Sequence, residues 1–333
     1  MEWSRYFQNP LYMEMSRRFL LNPDMKLLVA RYLGIRPGWR ILDVGCGTGA
    51  FTRYLAETLT EARTETSEPA EAAAAAKDRG SALQGCTLIG IDNDRRFVET
   101  ARRIASGQGL ERLEFRVGDA YDLPFPRDRF DLVVSHTLLG SVSDPGRAMA
   151  EMKRVAAAGG TIASVTSMSL GHQVMHPGRY PAECLWAPRL ASLEAKVWGM
   201  YQALAPLSLY TAGAPTAEIP HLFSEHGLES ICIYPIGRAF SLSNAAMPAE
   251  EKRDYITGMY EADVEKIGAF RQLEGFRKHL SGEECEEYIE LIGRRRDFLL
   301  GCVGENAIWD WHGGANLLVV GRVGTSASAR PST

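Results

Sequence analysis

Three glycines at every second position follow an apolar run and an acid in "ILDVGCGTGAF", Ile41 to Phe51. Gly45, Gly47 and Gly49 suit a strand that turns sharply into a helix. Backbone N–H groups and the positive end of the helix dipole then converge on one place. A nucleotide-like ligand fits such a cradle. Asp43 adds a carboxylate two residues before Gly45, and Cys46 reads as a small packing residue within the loop. Further chemistry-bearing residues end later apolar runs. Asp92 and Asn93 close "LIGIDND", where an acid can accept from both hydroxyls of a ribose. Asp119 and Ala120 lie in "FRVGDAYDLPF", Ser135 and His136 in "FDLVVSHTLL", and His172 and His176 in "LGHQVMHPGRY". Each of the three histidines is a candidate proton acceptor for a hydroxyl substrate.

Glycine spacing leaves two occupants open. Gly45-x-Gly47-x-x-Ala50 also fits a nicotinamide dinucleotide fingerprint, whose pyrophosphate sits on the helix N-terminus. S-adenosylmethionine has no phosphate and ends in an ammonium and a carboxylate, which gives a nearby acid a use.

The elements that must position these residues follow an alternating rhythm. Strand patterns cover Arg40–Val44, Thr87–Ile91, Leu113–Val117, Phe130–Ser135 and Gly160–Thr166. Helical patterns lie between them, after Gly49 and around Arg96–Ser106 and Gly146–Ala156. This alternation predicts an α/β fold, a mostly parallel sheet with helices on both faces. A helix over Thr216–His226, a strand at Glu229–Ile236 and a last strand at Ala315–Val323 complete the pattern. Four segments depart from it. Residues 1–39 form an amphipathic helical arm, residues 61–85 a low-complexity Ala/Glu/Thr insertion, and residues 167–213 and 242–312 largely helical inserts. The expected organisation is an arm (1–39), a core (40–166), a lid insert (167–213), a core helix and sixth strand (214–241), a helical cap (242–312), a last strand (313–324) and a disordered tail (325–333). The aromatic-rich inserts predict a closed pocket for a small or mid-sized organic molecule.

On these motifs the chain resembles the class I S-adenosylmethionine-dependent methyltransferases. "LDVGCGTG" matches the family's first motif, the acid of "LIGIDND" its second, and "FRVGDAYDLPF" its third, while "FDLVVSHTLL" matches the strand whose end borders the reacting methyl. The resemblance implies a Rossmann-like seven-stranded sheet, with "NLLVVGRV" as the inserted antiparallel strand. It implies S-adenosylmethionine as cofactor, with Asp43, Gly45, Cys46, Gly47 and Gly49 at the methionine end and Asp92 and Asn93 at the ribose. Asp119 and the Ala120 N–H meet the adenine, and Ser135 borders the methyl. Two departures stand out: the long insertion before Asp92, and "AAAGGTI" where many members have a Pro-Gly-Gly turn. The implied activity is methyl transfer to an O, N or C atom of a small organic acceptor. A non-catalytic S-adenosylmethionine-binding regulator and an NAD(P)-dependent oxidoreductase are the alternatives.

Composition narrows the partners. The 333 residues carry a net charge of -4, which offers no footprint for nucleic acid. Arg294–Arg296 reads as a solvated helix face. No apolar stretch reaches the roughly 20 residues of a membrane span, and the N-terminus lacks the apolar core of a signal peptide. The six scattered cysteines have no zinc spacing, so reduced thiols, a cytoplasmic setting and no metal are expected. The motifs say nothing of oligomeric state.

Overall fold

The computed structural model describes residues 3–6, 8–21, 23–61, 85–110, 112–173, 180–204, 218–236, 239–242, 244–245, 247–273, 275–304 and 311–325. The 62–84 stretch of the low-complexity insertion therefore lies outside the described residues. So do His176, the first part of the helix expected from Thr216, and residues 326–333 of the expected tail.

Eight strands form one sheet: β1 Arg40–Val44, β2 Thr87–Asp92, β3 Leu113–Val117, β4 Phe130–His136, β5 Ala156–Gln173, β6 Leu228–Pro235, β7 Ala239–Ser241 and β8 Trp311–Val323. Seven of them lie in the order β3-β2-β1-β4-β5-β8-β6, and the three-residue β7 pairs with the start of β8. The pairs β1–β2, β1–β4, β2–β3 and β4–β5 are parallel, whereas β6 and β8 are antiparallel. The mostly parallel sheet expected from strand-helix alternation is thus present, in the Rossmann-like form that the resemblance implies, with the short β7 as an eighth strand. The order reverses between β1 and β4, so the carboxyl ends of β1, β2, β3 and β4 converge where such sheets bind ligands.

The chain divides into two compact units. One comprises residues 20–168, 212–237 and 315–333. Successive residues of its strands point to opposite faces, and both faces are covered, so the apolar runs are continuous. Ile41, Leu132, Val134, Ala163, Leu318 and Val320 face one core with α3 (Lys26–Leu33) and α4 (Ala50–Glu61). Leu42, Val44, Val133, Ile162 and Val319 face the other, with α6 (Pro145–Val155) and α8 (Ile219–Glu225). A third helix, α5 (Arg95–Gly107), packs Val98, Ala101 and Ala105 on Phe115 of β3. Local signals set the helix starts. The Asp94 carboxylate accepts the Arg96 N–H at 3.0 Å to cap α5, and Asp144 with Pro145 opens α6.

The second unit comprises residues 1–19, 169–211 and 238–314. It contains α1 (Trp3–Tyr6), α2 (Pro10–Leu20), α7 (Ala187–Leu204), α9 (Ala249–Phe270) and α10 (Gly282–Gly301). Leu193, Ile267, Phe270 and Ile292 fill its interior. Met15 of α2 packs with Tyr255 and Ile256 of α9, so closely that a Cβ on Gly258 would stand 2.6 Å from the Met15 sulfur. The stretch expected as one arm is therefore divided. Residues 1–19 join the helical unit, while Val29 and Leu33 of α3 are core residues of the sheet unit.

Two further expectations are corrected. Arg294 is exposed and pairs with Glu290, but Arg295 turns inward to Glu194 at 2.5 Å and Asp263 at 3.8 Å. Arg296 lies over the Tyr260 ring at 4.3 Å. The run is thus one solvated residue and two packed ones. The fifth strand also starts at Ala156 instead of Gly160. Ala156 pairs with Phe130 and Thr161 with Leu132, so the residues between them bulge. Gly159 turns at a φ of 72°, and a Cβ on Gly160 would stand 2.7 Å from the Ala157 carbonyl oxygen. Glycine alone makes the turn that proline opens in many family members.

Candidate functional site

The glycine loop joins β1 to α4. Gly45, Gly47 and Gly49 have φ of 72°, 53° and 77°, a region that other residues rarely adopt. Space is equally limiting. A Cβ on Gly45 would come within 2.6 Å of Leu138, and one on Gly49 within 2.6 Å of the Phe115 ring.

The loop's amides are used within the chain. Gly45 and Cys46 N–H both donate to the Ile91 carbonyl, at 2.8 and 2.9 Å, and Gly49 N–H donates to the Cys46 carbonyl at 2.8 Å. Gly47 N–H donates to Asp92 Oδ2 at 2.9 Å. Two carboxylates flank this loop. Asp43 is buried, and its Oδ2 accepts the Thr52 hydroxyl at 2.6 Å, which ties β1 to α4. Asp92 also accepts the Asp94 N–H at 2.9 Å. Burial pushes the Asp92 carboxyl up to about 6, against the pull of these two N–H bonds. The same burial, with Asp92 and Asp43 nearby, raises the Cys46 thiol well above its ordinary value. That thiol is a packing group within the loop and not an activated nucleophile.

The other expected residues sit at neighbouring strand ends. Asn93 is exposed directly after Asp92. Asp119 is exposed, and its Oδ1 accepts the Tyr121 N–H at 2.9 Å; Ala120 beside it is half-buried. Ser135 is fully buried, and its hydroxyl donates to Ser164 of β5 at 3.2 Å. Its side chain belongs to the sheet interior, so only its backbone lies at the strand end. His136 ends β4, buried, with its ring stacked on Phe51 at 5.5 Å between centroids. His172 falls near the end of β5, and its side chain, like the whole of His176, lies outside the described residues.

The geometry adds groups that motif reading passed over. Thr52 partners Asp43 from the first turn of the helix after the loop. Arg53 is buried and donates to the Thr48 carbonyl at 2.6 Å. Thr137, just after His136, has a φ of 57°, which is strained for a β-branched residue. Tyr121 spans two loops, and nothing in its sequence neighbourhood announces that.

This donor set discriminates between the two occupants. A pyrophosphate needs free loop amides and no adjacent negative charge. Here four loop amides are already donated, and the Asp43 and Asp92 carboxylates stand beside them. A cationic, phosphate-free nucleoside fits this charge pattern instead.

A doubly wound sheet with an acid-flanked glycine loop, and acids ending β2 and β3, defines a cofactor domain of the S-adenosylmethionine type. A methyltransferase-domain family model matches residues 35–197, the stretch that carries the glycine loop and the acids at the ends of β2 and β3. Ajmaline N-methyltransferase of Rauvolfia serpentina is 32% identical over 52% of this chain and 49% of its own length. Demethylmenaquinone methyltransferase of Bacillus cereus is 24% identical over 67% of this chain and 83% of its own. The chain thus spans about half the length of the ajmaline relative. A crystal structure of an S-adenosylmethionine-dependent methyltransferase from Aquifex aeolicus is 16% identical, with a TM-score of 0.44, covering 69% of this chain and 93% of that one. Among the described residues no helix is long and apolar enough to cross a membrane.

Proposed function

We propose that this protein moves the methyl group of S-adenosylmethionine to an O, N or C atom of a small or mid-sized organic acceptor, in a cytoplasmic setting. The observation that carries this reading is the glycine loop, its amides donated internally and its flanks lined by Asp43 and Asp92. The relatives' names, for ajmaline and demethylmenaquinone, support an acceptor of this class. Neither nucleic acid nor a membrane is part of this reading.

The bound cofactor supplies an electrophilic methyl and a thioether leaving group. The chain's own residues bind and orient. Gly45, Gly47 and Gly49 give the loop its turn at the methionine end, with φ values that other residues rarely adopt. Asp43 sets the loop through Thr52 and contributes negative charge beneath it. The Asp92 carboxylate and Asn93 take the ribose, and Asp119 with the Ala120 N–H takes the adenine. Ser135 contributes backbone at the end of β4. His136 is the first choice for holding a proton if the acceptor is a hydroxyl, with His172 and His176 as further choices; a neutral amine needs no base. Holding the two reactants in line is the larger share of the work.

Transfer of labelled methyl from S-adenosylmethionine across a panel of alkaloid, quinol, phenol and amine metabolites tests the reading. Turnover of at least one acceptor, abolished by Asp92→Ala, is expected. Tight S-adenosylhomocysteine binding with no turnover across the panel would favour the regulatory alternative.

A further inference from the structure

The loop after β4, residues 137–144, is held from two sides by cofactor-binding elements. At its start Thr137 takes the strained φ of 57°. Its N–H donates to the Val165 carbonyl at 2.8 Å, and its carbonyl accepts the Ser141 hydroxyl at 2.7 Å. Ser141 and Val142 N–H both return to the Leu138 carbonyl, at 2.7 and 3.1 Å. Leu138 packs where a Cβ of Gly45 would lie, so the near end of this loop rests on the glycine loop.

The far end rests on Tyr121. The Tyr121 N–H donates to the Asp119 carboxylate at 2.9 Å. Its phenol oxygen lies 2.9 Å from the Ser143 hydroxyl and accepts the Asp144 N–H at 2.9 Å. Asp144 in turn caps α6 by accepting the Arg147 N–H at 2.9 Å, and the Arg147 guanidinium lies 4.9 Å over the Tyr121 ring. One side chain therefore joins the adenine-side acid to the loop that leaves the methyl-side strand.

We propose that Tyr121 is a positioning residue that couples cofactor binding at Asp119 to the order of residues 137–144, the loop leading away from the methyl position. The proposal rests on the S-adenosylmethionine reading of the site. Asp119 spends one carboxylate oxygen on Tyr121, so a ligand group on Asp119 fixes the Tyr121 backbone. The phenol passes that constraint to Ser143 and Asp144. Strain at Thr137 makes the loop sensitive to it, because a left-handed β-branched residue holds only when its surroundings are fixed.

Hydrogen exchange of the full chain, with and without saturating S-adenosylhomocysteine, tests this without knowledge of the acceptor. In the wild-type protein the ligand should slow exchange across 137–144 at least fivefold. In Tyr121→Phe the ligand should bind within threefold of wild-type affinity and still protect the glycine loop, while the gain at 137–144 falls by half or more. Ser143→Ala removes the other partner of the phenol and should lower the same gain, which keeps the test open if Tyr121→Phe folds poorly. A purely structural role would speed exchange equally with and without ligand. That result, or an unchanged gain in both variants, overturns the coupling. Failure of S-adenosylhomocysteine to bind the wild-type protein would instead overturn the cofactor reading on which it rests.

Discussion

Asp92 concentrates the chemistry of the site in one side chain. Its two oxygens hold the Gly47 and Asp94 N–H groups, and its carboxyl titrates near 6, raised from 3.8 by burial. The sign follows from linkage. The folded protein takes up this proton at a higher pH than the unfolded chain, so this group adds stability as pH falls from about 6 toward 4 and none above about 6. Between pH 7.5 and 4.5 that increment is about 1–3 kcal/mol. Asp92→Asn should abolish it, as read from the difference between wild-type and variant denaturation at the two pH values. Affinity for S-adenosylhomocysteine should fall in the wild-type protein below pH 6, where the proton occupies an acceptor. In Asp92→Asn it should be weaker by about 10-fold at pH 7.5 and flat with pH. An unchanged pH profile in the variant would remove Asp92 from the ribose role. Residues of this kind were legible from the sequence, since an acid ending a strand after a glycine loop has a stated chemistry. Thr52 and Tyr121 were not, because their partners lie 9 and 22 positions away and only the folded chain joins them.

At the scale of elements, the glycine loop shows why spacing carried the fold so far. Gly49 opens α4 at a φ of 77° with Phe115 and Ala101 against its α-carbon. Gly49→Ala must both strain the backbone and overfill the contact with β3. The expected loss is about 2–4 kcal/mol, measured by urea denaturation, together with loss of ligand binding. A loss under 1 kcal/mol would show that the β1–α4 turn has more room than the structure gives it. The strand cores were legible because burial on both faces demands short, continuous apolar runs. The ends were less so. β5 starts four residues early because a bulge at Gly159 and Gly160 lets Ala156 pair first, and a bulge leaves no apolar signature. Arg295 departs from its sequence pattern for a similar reason. Three arginines in a row look solvated, yet helical rotation sends one of them toward Glu194 and Asp263.

At the scale of the whole molecule, sequence pattern set neither the allegiance of the N-terminal segment nor the ends of the sheet, since β5 runs to Gln173 and β8 starts at Trp311, inside stretches expected as helical inserts. Helices α2 and α3 share amphipathic spacing, and only tertiary packing sends Met15 to α9 and Val29 to the sheet core. The acceptor's identity was illegible throughout, since the motifs encode the methyl donor. The identity of the donor is open to measurement by calorimetric titration of the full chain with S-adenosylhomocysteine and, separately, NADH. Saturable binding of one S-adenosylhomocysteine per chain and no heat from NADH are expected. Tight NADH binding with no binding of S-adenosylhomocysteine would contradict S-adenosylmethionine as that donor.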